Sequence, residues 1–186
     1  MFWHRRISAA LAAGLFAAGC ANLGSSTGTD KAAEVSAYER AVAYMQQGDY
    51  ERATVAWERL LEDESADANA LANLAIAYMQ LDRQEDALEA LNKALAEDPA
   101  HPEAATLLAI EHRKAGRFDE ARALYTKVLE RHPDYALGHL NLGILCDLYL
   151  LEPQCALEHY QRYQALTQDN EQEVAQWITD LEQRQR

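Results

Sequence analysis

Glycine, proline and cysteine are scarce in this chain: eight, four and three among 186 residues. The glycines and prolines fall mostly where helices should stop, and no segment alternates Val, Ile and Thr in the manner of a half-buried strand. With aromatics at 8% and an apolar fraction of 49%, rich in Ala and Leu, the fold expected is all-α. Positive charge is also short. Seventeen Lys and Arg face 30 Asp and Glu, for a formal net charge of −13. Such a surface repels phosphate backbones and anionic headgroups, so nucleic acid is not an expected partner. There is no nucleophile elbow and no glycine-rich phosphate loop. The carboxylates read as solvated helix faces, as in Glu85-Asp86 and Glu62-Asp63-Glu64. No enzyme, cofactor, bound metal or small-molecule substrate is expected.

Long apolar runs are absent too. Ile7–Ala18 follows the basic Arg5 and Arg6 but is too short to span a bilayer. Basic start, short apolar core and the small residues Ala17-Ala18-Gly19 describe a secretory leader over 1–19. Cys20 directly after those small residues resembles a bacterial lipobox, with Ala17 where Leu is usual; the alternative is an ordinary leader with a chance cysteine. The resemblance implies cleavage before Cys20 and acylation of its sulfur and new amino terminus, a stable membrane anchor at about 0.8 kcal/mol per buried methylene. Ala21 stands where an inner-membrane retention signal commonly has Asp, so the implied location is the periplasmic face of the outer membrane. Loss of Arg5 and Arg6 with the leader takes the net charge from −13 to −15. Residues 20–32 are polar and rich in Gly, Ser and Thr, and read as a flexible tether.

What the chain does have is a period. Ala53, Ala87 and Ala121 are spaced 34 apart, in step with Tyr44 and Tyr78, Pro99 and Pro133, and Val42, Ile76, Ile110 and Ile144. A period of this length marks a helical repeat array. The clearest copy places Leu71, Leu74, Ala75 and Tyr78 on a first helix, Ala87, Leu91 and Ala94 on a second, and Pro99 at its end. This pattern resembles the tetratricopeptide repeat. The resemblance implies a right-handed α-solenoid of about four helix-turn-helix units, over 33–66, 67–100, 101–134 and 135–168. His112 departs from the pattern at a usual Tyr place. The fourth unit is one residue longer, since Ala121 and Ala156 are 35 apart, and the insertion is expected in the turn around Leu150–Gln154. Residues 169–186 read as a capping helix, opened by Asn170 and Glu173 and apolar at Val174, Trp177, Ile178 and Leu181.

By that resemblance the second, fifth, ninth and twelfth places of each first helix face the concave side. The ninth holds Val42, Ile76, Ile110 and Ile144, where a polar residue is common. With Tyr38, Met45, Ala72, Met79 and Leu140 they form an apolar strip, flanked by Asn73, Arg113, Lys114, Asn141 and Asp147. Read as a binding surface, the strip suits an amphipathic helix or an extended apolar peptide; read blandly, curvature or the tether buries it. A clamp for a C-terminal carboxylate is excluded. Asn73 keeps one of its places, but the others hold Tyr38, Val42, Glu103 and Leu107.

Cys146 and Cys155 lie nine apart across the fourth unit's turn and read either as a disulfide or as two small buried thiols. A metal site built from His139, Cys146, Cys155 and His159 is rejected, because His139 and Cys146 are about 10.5 Å apart along a helix. His101 and His132 precede prolines and read as turn residues. The resemblance as a whole implies a lipid-anchored adaptor that recruits a client protein, in assembly of an envelope machine such as a pilus or secretion system. Alternatives are an accessory of a TonB-like energised uptake system, an adaptor for cell-wall hydrolases, or an enzyme using the His/Cys cluster.

Overall fold

The computed structural model describes residues 28–63, 67–167 and 172–184. The leader, Cys20, most of the tether and Asn170 lie outside them. Among the described residues the chain forms α1 (Gly28–Gln46), α2 (Tyr50–Asp63), α3 (Ala68–Gln80), α4 (Gln84–Glu97), α5 (Pro102–Lys114), α6 (Phe118–Arg131), α7 (Ala136–Leu145), a π-helical turn (Cys146–Leu150), α8 (Pro153–Thr167) and α9 (Gln172–Arg184). Residues 28–32, expected at the end of the tether, are instead the opening of α1.

Three ladders of residues explain why the helices pair as they do. Ala41, Ala75, Ala109 and Gly143 face inward on the first helices, and Ala53, Ala87, Ala121 and Ala156 on the second. Side chains this small let antiparallel backbones approach closely. One turn further along each second helix, Trp57, Leu91, Tyr125 and Tyr160 fill the space and are at most 1% exposed. The fourth unit shows the volume exchange directly. A Cβ built on Gly143 would lie 2.6 Å from the Tyr160 ring, so the alanine of the other units cannot stand there.

The turn inside each unit needs one left-handed residue, supplied by Gly48 (φ 72°), Asp82 (φ 56°), Gly116 (φ 75°) and Leu151 (φ 56°). In the first three units a backbone N–H after this residue donates five positions back: Asp49 to Tyr44, Arg83 to Tyr78 and Arg117 to His112. In the fourth, Glu152 donates six back, to the Cys146 carbonyl at 2.8 Å. That difference of one locates the insertion. It is absorbed as a π turn at the end of the first helix, not in the turn around Leu150–Gln154, because a helix takes an extra residue by widening one turn. Pro153 then opens α8 at a position where its missing N–H costs nothing.

Among the described residues two apolar clusters form the core, one from α1 to α5 and one from α5 to α9. In the last helix Val174, Ile178 and Leu181 are buried, and Trp177 sits 5.3 Å from the Tyr160 ring. α9 therefore covers the apolar side of α8 that a fifth unit would otherwise meet. First helices touch in succession, α3 with α5 and α5 with α7, while among the described residues the second helices meet less. The first helices thus line the inner side of the curve.

Candidate functional site

Along that inner side Val42, Ile76, Ile110 and Ile144 are all half-buried, each on the first helix of its unit. Half-burial fits a lining: part of each side chain rests on its neighbours and part meets solvent. Val42, Met45 and Met79 pack on the N-terminal cluster, and Leu140 and Ile144 on the C-terminal one. Ala72 differs. It is 2% exposed, so it packs between helices and offers no surface. Tyr38 turns its ring edge-on to Trp57 at 4.9 Å and brings its hydroxyl to Asn73, bridging α1 and α3 at the mouth of the strip.

The polar residues beside the strip fall into two kinds. Asn73 and Asn141 donate back to their own helices, to Asn69 O (3.0 Å) and Leu137 O (2.9 Å), which keeps their amides in place on the groove wall. Arg113, Asp147 and Arg184 form a charged group at the C-terminal end. Arg184 lies 3.7 Å from Asp147, whose side chain is 11% exposed, and the Arg113 guanidinium lies 5.5 Å over the Tyr149 ring. Tyr160 bonds to Asp147, and burial first, then that carboxylate, raise its pKa. The cap helix therefore closes this end of the groove with charge as well as with apolar packing. Lys114 points away from this group, 2.6 Å from the buried Glu111, which also accepts from Gln84.

Cys146 and Cys155 are joined by a disulfide, with Cα atoms 5.9 Å apart. It ties the π turn to the first turn of α8. The two histidines near it pair with each other, not with sulfur. His139 is buried, and its Nε2 donates to Pro133 O at 3.0 Å, because a carbonyl can only accept. Its Nδ1 is then the acceptor for Nδ1–H of His159 at 2.9 Å. Helical spacing could not reveal this contact, since it joins α7 to α8 across twenty residues. His101 also exceeds its sequence reading as a turn residue. It is 5% exposed, its Nδ1 accepts the Ala104 N–H at the start of α5, and its Nε2 donates to Asn69 Oδ1 (3.2 Å), locking one unit to the previous one. His112, in the usual Tyr place, accepts from Arg117 at 2.7 Å, and burial followed by that guanidinium lowers its pKa.

Residues 44–110 and 106–148 match two models of the tetratricopeptide repeat, together more than half of the chain. The chain belongs to the tetratricopeptide-repeat family. As a tetratricopeptide-repeat protein it is a scaffold for protein–protein interaction. Among solved structures it is similar to one from the functional characterization of Pseudomonas aeruginosa PilF, with 25% identity, a TM-score of 0.73, and coverage of 86% of this chain and 71% of that one. It also resembles MamA AMB-1 (23% identity, TM-score 0.63, 84% of both chains) and MamA MSR-1 (23%, 0.61, 82% of this chain and 86% of that one). The likeness to MamA concerns the fold alone. No curated protein matches the chain by sequence.

Proposed function

We propose that this tetratricopeptide-repeat protein is a non-catalytic adaptor, anchored by acylated Cys20 to the periplasmic face of the outer membrane, whose inner groove captures an amphipathic helix or extended apolar peptide of a client. The observation that carries the reading is the row Val42, Ile76, Ile110 and Ile144, half-buried on the inner side of four successive units. A row of branched apolar residues at a partly solvated surface gains free energy when a partner covers it, at about 25 cal/mol per Å² of apolar area removed from water. The client belongs to an envelope assembly machine such as a pilus or secretion system. The likeness to PilF supports that choice, and the lipobox-like Ala17-Ala18-Gly19-Cys20 supports the anchor. The tether then raises the local concentration of groove and client at the membrane.

The test separates anchor from groove. Cys20→Ser should move the protein from the membrane to the soluble periplasmic fraction; retention in the membrane sinks the anchor. Ile76→Glu with Ile110→Glu should abolish client co-purification while helical circular dichroism is unchanged. A loss of helicity would instead assign those two residues to the core.

A further inference from the structure

Between α2 and α4 lies a cavity of about 370 Å³, with α3 beneath it. Its base is apolar: Leu61 of α2 is half-buried, and Leu74 of α3 and Ala90 of α4 are 6% and 4% exposed beneath it. Its rim is acidic. Glu58 and Glu62 stand on α2 and Asp86 and Glu89 on α4; among the described residues Lys93 is in the lining and Arg83 bonds Asp86 from beside it, so four negatives meet two positives.

The rim is held rather than loose. Glu58 accepts the Tyr78 O–H at 2.5 Å, and the Arg83 guanidinium lies 4.3 Å over the same ring while bonding Asp86 at 2.7 Å. Burial and the Glu58 bond push the Tyr78 phenol up to about 12, so it stays a donor and keeps that carboxylate at the rim. The Lys93–Glu89 pair is more than 60% exposed on both sides, and such pairs exchange readily for another cation. Among the described residues these carboxylates do not converge on one point as metal ligands would. They flank the apolar floor on two sides, which suits a chain lying along it.

We infer that this outer furrow is a second docking site, for a cationic amphipathic segment of a protein partner that places an apolar side chain against Leu61 and Lys or Arg against Glu58, Glu62, Asp86 and Glu89. Its volume lies within the usual range for binding sites, roughly 300–1,000 Å³. Because it opens on the opposite side from the row of branched residues, it is independent of the inner groove, and both can be occupied at once.

The experiment uses the mature chain and an acetylated peptide of Leu and Lys patterned as an amphipathic helix, with anisotropy read at about 50 and 300 mM salt. Glu62→Lys with Glu89→Lys, both at exposed positions, should weaken binding about tenfold or more, and Glu62→Gln with Glu89→Gln by a smaller factor. Amide chemical shifts should move on α2 and α4. The control reverses two acids far from the furrow, Glu173→Lys with Asp180→Lys, and should change affinity less than about twofold. Equal losses in the two reversals would mean that the peptide senses only the overall charge, and would overturn the site. So would failure to bind at low salt, or a loss confined to Ile76→Glu with Ile110→Glu, which would place the peptide in the inner groove.

Discussion

His159 shows how one side chain ties packing to solution conditions. Burial is the main cause of its lowered pKa, and the neighbouring His139 adds to it. In the folded chain the imidazole therefore resists protonation that it accepts when unfolded. The unfolded state binds the extra proton below the ordinary histidine value of about 6.5. Stability from this contact is then fully present above about pH 6.5, falls as the pH drops below it, and levels off below the depressed folded value. His159→Gln should flatten this part of a profile of melting temperature against pH between about 5 and 7. An unchanged slope would assign it to other groups, His112 among them, whose pKa is lowered in the same direction.

At the scale of the element, the π turn and its disulfide act together. The turn after the widened end of α7 puts Leu151, where two other units have glycine, in the left-handed region, a backbone state that costs a non-glycine residue about 1–2 kcal/mol. It also leaves Leu148, Tyr149 and Leu151 exposed at 59, 43 and 77%. The bond between Cys146 and Cys155 spans this segment, and Arg122 of α6 reaches Glu152 at 2.5 Å just beyond it. For a loop this short the chain-entropy argument gives the disulfide about 2–3 kcal/mol. Cys146→Ser with Cys155→Ser should lower the free energy of denaturant unfolding by that amount. Reducing agent should do the same to the parent protein and leave the double variant unmoved.

For the whole molecule, the cap decides whether the array ends cleanly. Three buried side chains of α9, Val174, Ile178 and Leu181, together contribute about 5 kcal/mol at the usual value per buried aliphatic side chain. Removing residues 169–186 should expose the Tyr160 side of α8, lower the melting temperature and produce self-association on size-exclusion chromatography; a monomeric truncation of unchanged stability would show that α8 needs no cover. How much of this was legible beforehand follows from how local each cause is. The four-unit all-α solenoid was written in the 34-residue beat, because every unit must present a small residue and a large filler at the same places to bury itself on its neighbours. The half-buried row of Val42, Ile76, Ile110 and Ile144 followed from the same beat. Where the causes lie between units, the beat carried no information. It did not reveal that Ala72 packs inward, that His139 meets His159, or that His101 locks α5 to α3. Nor did it show the furrow between α2 and α4, which is built from helices of two successive units. The sequence by itself determined the repeating unit, since that depends on contacts within about forty residues. Only the tertiary structure decided where the extra residue went and which carboxylates share a rim, since both depend on how far neighbouring helices spread.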